Sequence, residues 1–277
     1  MKKLLLSLSL ALATLSAPTW ATTLDGLDFK NVMRGLYAGK MTNCVVDDET
    51  LESYPHVCLD EMYDPDMPEL STLALMHPVM SFDNQNGQKR HLLMIEKVAL
   101  DKGVHLSGHV GSAKADLYLF KKTGKGYELI SRNTKNEEMA GSWGRVHLDL
   151  NDIKSSIQPF GKGLMGAMFE SGYCSTGSCE TYWYALMLPE HGDIKTVFVA
   201  DAGSNNGGMH EETHPLYYGY ESTYQVMPNG SAYYPIQIHY TGERPDDDYE
   251  RIYKVNETIT FYFDKQTNTY TKRQPIP

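Results

Sequence analysis

Three times along this chain, two β-compatible runs are separated by a short cluster of turn formers. Residues 116–120 and 127–131 flank Lys-Lys-Thr-Gly-Lys-Gly. Residues 181–188 and 194–200 flank Pro-Glu-His-Gly-Asp, and 258–263 and 269–272 flank Asp-Lys-Gln-Thr-Asn. Strands joined this closely pair antiparallel, because a parallel return needs a crossover of a dozen residues or more. Further strands are expected at 91–100, 164–169, over 144–150 through Val146, Leu148 and Leu150, and over 233–240 through Tyr234, Ile236, Ile238 and Tyr240. The 19 tyrosines suit this pattern, since Tyr favours half-buried pleated positions. The expected fold is mainly β, built from antiparallel hairpin sheets in a sandwich or propeller-like arrangement. A short N-terminal helix and two local disulfides complete it.

The helix is expected over 25–39, where Val32, Met33, Leu36 and Tyr37 fall on one face and Gly39 follows as a stop. An acidic, turn-rich segment covers 43–69, and a second short helix is expected to start at Pro68. Four cysteines permit three pairings. The sequential one, Cys44–Cys58 and Cys174–Cys179, closes two short local loops and on chain entropy contributes about 3 and about 2 kcal/mol. A metal-thiolate set would need paired Cys-x-x-Cys hooks, which these spacings lack. Cys174 and Cys179 bracket Ser-Thr-Gly-Ser and precede an aromatic run. This reads as a stapled loop feeding a central strand.

Residues 1–21 carry Lys2 and Lys3, an apolar stretch from Leu4 to Leu15, and Thr19 and Ala21 before a cleavage point. They read as a secretory leader, too short for a membrane span. No cysteine near the cut offers a lipid anchor. The expected compartment is periplasmic or secreted, which the even cysteine count suits. Residues 22–80 form a helix plus the acidic stapled segment and 81–277 a β domain, the two expected as one folding unit. Formal net charge is −10, and loss of Lys2 and Lys3 with the leader deepens it to −12. That balance argues against nucleic acid and anionic lipid and permits a basic protein partner.

His210-Glu211-Glu212-Thr213-His214 matches His-Glu-x-x-His, the motif of zincin-type zinc metallopeptidases. On a helix His210 and His214 would ligate zinc and Glu211 would deprotonate the bound water. The surroundings are loop-like before the motif, and Pro215 after it pushes His214 out of the α region. A polar surface loop with no metal or other cofactor is therefore expected, with the zinc peptidase as the alternative. No Gly-x-Ser-x-Gly elbow, phosphate-binding loop or dinucleotide fingerprint occurs. Tyr173 and Trp183 beside the stapled loop, and Asp246, Asp247 and Asp248 in an acidic turn, are the candidate partner contacts. The expected function is an exported, non-enzymatic binding protein of inhibitor or immunity type that neutralises a basic envelope-acting partner. A structural cell-envelope protein is a further alternative.

Overall fold

A computed structural model describes residues 22–108, 113–134, 138–246 and 248–272. The expected leader and Asp247 lie outside the described residues. The N-terminal part supplies β1 (Thr23–Leu24), α1 (Phe29–Leu36), β2 (Met41–Thr42), α2 (Glu49–Glu52), β3 (His56–Leu59), β4 (Ser71–Met76), β5 (Met80–Asp83), β6 (Lys89–Asp101) and β7 (Val104–His105). There follow β8 (Ala113–Thr123), β9 (Gly126–Arg132), β10 (Glu138–Met139), β11 (Gly141–Ser142), β12 (Arg145–Val146) and α3 (Leu150–Ser156). The C-terminal part supplies β13 (Gln158–Gly161), β14 (Leu164–Ser175), β15 (Ser178–Pro189), β16 (Gly192–Asp193), β17 (Lys195–Asn205), β18 (Gly219–Val226), β19 (Ile236–Pro245), β20 (Ile252–Asp264) and β21 (Thr269–Thr271). The chain is mainly β, as the three hairpin patterns require, and those hairpins are β8–β9, β15–β17 and β20–β21.

The first sheet runs β1-β9-β8-β6-β4-β3-β2, and the second follows chain order from β13 to β21 without β16. Pairing is antiparallel except for the two-residue contact of β16 with β9. Strand β6 is buried along nearly its whole length because both its faces are covered. Leu93 and Ile95 pack with Val32, Met33 and Tyr37 of the α1 region. Leu92 and Met94 pack across to Met165, Ala167, Leu186 and Leu188 of the second sheet. Asp28 caps α1 by accepting the Asn31 N–H, which satisfies one of the helix's free donors.

The second sheet curls on itself. Strands β17 and β18 pair only through Ser204 and Asn205. At the other end of β17, Lys195 Nζ donates to Asn268 Oδ1 beside β21. The edge strand β13 is met by the segment before β19, where Tyr234 N donates to the Phe160 carbonyl. The curled interior holds Phe160, Met168, Val199, Ile236, Ile238 and Phe263. Strands β14 and β15 therefore have two apolar faces, one on the first sheet and one inside the curl, and they read as nearly continuous apolar runs.

The structure departs from the sequence expectations in several places. Residues 144–150 are not one strand: β12 is two residues long, and Asp149 then caps α3 by accepting the Asn151 and Asp152 N–H groups. Leu150 and Ile153, one turn apart, plug the space between the sheets. No helix starts at Pro68; Leu70 N instead donates to the Met67 carbonyl in a turn. The strand expected from Tyr233 begins at Ile236, after Pro235. Both sequential disulfides are present. Cys44–Cys58 packs with Leu51, Leu73 and Val98 under the first sheet. Replacing both Cys44 and Cys58 with Ser should lower unfolding free energy by about 3 kcal/mol, read as a lower urea midpoint, with a steeper slope because the unfolded chain expands without the cross-link.

Burial holds the imidazoles of His91, His105 and His147 below the ordinary histidine range. The unfolded chain then binds more protons than the folded one as pH falls through that range. Their contribution is complete above the ordinary value of 6.5 and is lost on acidification. The thermal midpoint should rise between pH 5 and pH 8, and a calorimetric series that is flat or falling over that interval would contradict this.

Candidate binding surface around the stapled hairpin tip

The stapled segment is not a loop entering a strand but the tip of one long hairpin. Strands β14 and β15 stay paired from Leu164↔Pro189 to Ser175↔Ser178, and Cys174 lies directly opposite Cys179. Thr176 and Gly177 alone make the turn, both with positive φ, at 50° and 85°. Such a two-residue turn matches the twist of the flanking strands, and a Gly there carries no Cβ penalty. The disulfide thus joins neighbouring strands and stiffens the tip. The segment after β17 docks on it through Gly208 N, which donates to the Gly177 carbonyl.

Two cavities flank this tip, and Glu180 and Thr181 border both. The first, about 420 Å³, lies between β15, β17, β18 and the turn from β19 to β20. Its wall carries Tyr182, Tyr218, Tyr220, Tyr249 and Tyr253, with Glu180, Asp201 and Asp246 against Arg244. Each position has a local cause. Register places Tyr182 beside Asp201 on neighbouring strands. Asp246 Oδ1 accepts from Glu250 N at 2.8 Å and Arg251 N at 3.2 Å, which closes the acidic turn. Glu180 accepts from the Tyr182 hydroxyl and, at 3.2 Å, from that of Tyr173. Arg244 lies in the corner between two tilted rings, its guanidinium 4.3 Å from the Tyr220 ring centre and 4.6 Å from that of Tyr240.

The field inside this cavity is negative. Burial raises the Tyr182 phenol first, and the hydrogen bond and charge of Glu180 raise it further. Burial and then the Asp201 charge raise Tyr220 and Tyr240. All three phenols stay neutral at ordinary pH, and the wall combines carboxylates with aromatic faces.

The second cavity, about 620 Å³, lies on the other side of the tip, between Trp143, His147, Glu170, Ser171, Tyr173 and the disulfide. Trp143 and Gly144 form the tight turn of the β11–β12 hairpin, with φ of 55° and 68°. His147 pins this hairpin to β14, since its two ring nitrogens lie 2.8 Å from the Ser142 and Ser171 hydroxyls. Among the described residues five non-glycine residues have positive φ, and the aromatic ones are Trp143 and Tyr249. They are 52% and 58% exposed, one in each cavity wall. Left-handed backbone under a bulky side chain is unfavourable by about 1–3 kcal/mol.

The residues expected from sequence fare differently. Tyr173 is exposed in the wall of the second cavity. Asp246 lines the first cavity, whereas Asp248 is exposed in the same turn outside its wall. Trp183 does not reach the surface: it is 8% exposed, lies edge-on to Tyr224 and donates Nε1–H to Ser222 Oγ at 2.9 Å inside the curled sheet. Cys174 and Cys179 border the second cavity, while Cys44 and Cys58 lie elsewhere.

The metallopeptidase alternative loses its geometric basis. Residues 210–214 form turns and bends rather than a helix, so the one-turn placement on which the His-Glu-x-x-His motif relies is missing. The His210 and His214 rings stack face to face at 4.1 Å, and His214 Nδ1 accepts from Leu216 N at 3.1 Å. Among the described residues no group of three or more His, Cys, Asp or Glu side chains is placed to hold a metal. No described helix is long and apolar enough to cross a membrane.

Sequence reading missed Trp143, Glu180, Asp201, Tyr218, Tyr220, Arg244, Tyr249 and Tyr253. They come from segments spread from Trp143 to Tyr253 and share no local spacing. The sequence matches no protein-family model, and no curated protein or solved structure is significantly similar to the chain.

Proposed function

We propose that this chain is an exported, non-enzymatic binding protein of inhibitor or immunity type, which engages a basic protein through the stapled tip and its two flanking cavities. The observation that carries the reading is the composition of that surface. Exposed aromatics, Tyr173 on the covalently stiffened hairpin and Trp143, Tyr249 and Tyr253 on neighbouring elements, lie among the carboxylates Glu170, Glu180, Asp201 and Asp246. Aromatic anchors on a pre-ordered surface lose little entropy on binding. The acidic total of −10 steers a basic partner toward it. A periplasmic or secreted location follows from the leader-like N-terminus and accords with the two disulfides.

The test is capture from envelope and secreted fractions by the disulfide-formed chain and by a Tyr173→Ala, Glu180→Gln variant. The wild type should retain a basic protein, retention should fall with ionic strength, and the variant should retain at least about tenfold less. No specific capture, or equal capture by the variant, would sink the proposal.

A further inference from the structure

We infer that the cavity between β15, β17, β18 and the β19–β20 turn is a cage for a single organic cation, the guanidinium or alkylammonium group of an Arg or Lys side chain. This inference rests on the reading that the surface receives a basic partner, and it names the group that enters and where.

The walls meet the requirements of such a cage independently. Tyrosine faces attract a cation through their ring quadrupole, most strongly where water is excluded. The exposed rings of Tyr249 and Tyr253 stand at the rim. Tyr218 lies tilted beneath Tyr249, with centroids 6.1 Å apart. Arg244 shows that this neighbourhood holds a guanidinium against the faces of two tilted tyrosines, 3.6 Å from the Glu257 carboxylate. That resident cation neutralises part of the wall, yet Glu180, Asp201 and Asp246 still outnumber it. Asp201 is exposed on the wall beside Tyr182, so its carboxylate can meet an incoming donor. A neutral sugar would also stack on tyrosine, but it gains nothing from the excess of carboxylates. An anion is repelled.

Tyr249 supplies the sharpest handle. It holds a φ of 59°, a conformation Gly adopts freely and Tyr does not. In a cage Tyr249 is retained for its ring despite the strained backbone. A Tyr249→Gly variant should then keep or raise the thermal midpoint while losing the ligand, a combination that a merely structural tyrosine would not produce.

The experiment titrates the full disulfide-formed chain with N-acetyl-arginine methylamide, its lysine counterpart, its citrulline counterpart and a neutral disaccharide, reading tyrosine ring resonances. The arginine and lysine compounds should shift the cage tyrosines saturably. Uncharged citrulline, nearly the same shape as arginine, should bind at least about tenfold more weakly. Asp201→Asn should weaken arginine binding about fivefold or more, and Tyr249→Gly should abolish it without lowering the thermal midpoint. Equal binding of citrulline and arginine, saturation by the disaccharide at the same tyrosines, or full arginine binding in both variants would overturn the cage. The two readings fail separately. Glu180-dependent capture of a basic protein with no response to the capped cations defeats the cage alone. Cation binding without any captured protein defeats the partner reading alone.

Discussion

Glu96→Gln is expected to lower the unfolding free energy by about 3 kcal/mol, and with it the thermal midpoint by about 6–12 °C for a chain of this size. Glu96 is 1% exposed and sits at the centre of β6. Its carboxylate accepts from Arg145 Nε and Nη2, each at 2.9 Å, from Val146 N at 2.9 Å, and bonds His77 Nε2 at 2.8 Å. Burial alone pushes this carboxyl up. The His77 and Arg145 hydrogen bonds, the Arg145 charge and the Val146 N–H together outweigh burial and pull it down to about 2. Glutamine keeps the shape but brings an NH₂ group among donors and leaves the Arg145 charge without its partner. Arg145 is itself part-exposed, which holds the estimate to the low end of the range for broken buried pairs. The folded value lies below the unfolded one of 4.5. The carboxylate's contribution is therefore complete above pH 4.5 and is lost as pH falls toward 2, and the variant should show a flatter acid limb. Arg145 and Val146 belong to the hairpin that presents Trp143, so amide exchange over 141–147 should also quicken. A loss below about 1 kcal/mol, with an unchanged acid limb, would show that the cluster stabilises no more than a surface pair.

Lys97→Met is expected to be at least as severe, about 3–5 kcal/mol. Lys97 follows Glu96 and points to the opposite face, because side chains alternate along a strand. Its ammonium lies 3.0 Å from Asp116 Oδ2 and 2.8 Å from Glu61 Oε1, with Lys97 and Asp116 both almost fully buried. Asp116 also accepts from the Tyr37 hydroxyl at 2.6 Å, which ties the end of α1 to β8. Methionine fills similar space but takes the cation away from the buried Asp116 carboxylate, while Glu61 keeps Lys40 at 3.9 Å. Adding Asp116→Leu should recover part of the loss, since an apolar replacement of a whole buried pair is often near neutral. Recovery stays incomplete because the Tyr37 and Tyr118 hydroxyls keep only each other, at 3.2 Å. Urea midpoints of the two single variants and the double variant measure the coupling. Additive losses would show that Lys97 and Asp116 do not act as a pair.

What was legible in the sequence was local. Hairpin turns, strand alternation and α1 express interactions within about a dozen residues, so residue order alone implies them. The disulfides joined the nearest cysteines for the same reason. The α3 signal was also local, an Asp149 cap before Leu150 and Ile153, but Val146, Leu148 and Leu150 fit a strand's period equally well over so short a stretch. Trp183 shows where pattern stops. Its neighbours are aromatic and its strand leads to the exposed tip, yet only the curl of the second sheet puts its ring inside. The cavities went unread for the same cause. Glu180, Asp201, Arg244 and Tyr249 are ordinary residues on separate strands and turns, and no spacing links them. The sequence by itself determined the antiparallel β character, the staples and the acidic balance, because these depend on near neighbours and on totals. The tertiary structure alone decided which acids and aromatics meet around the hairpin tip, because strand register and sheet curvature are set by burial summed over the whole core.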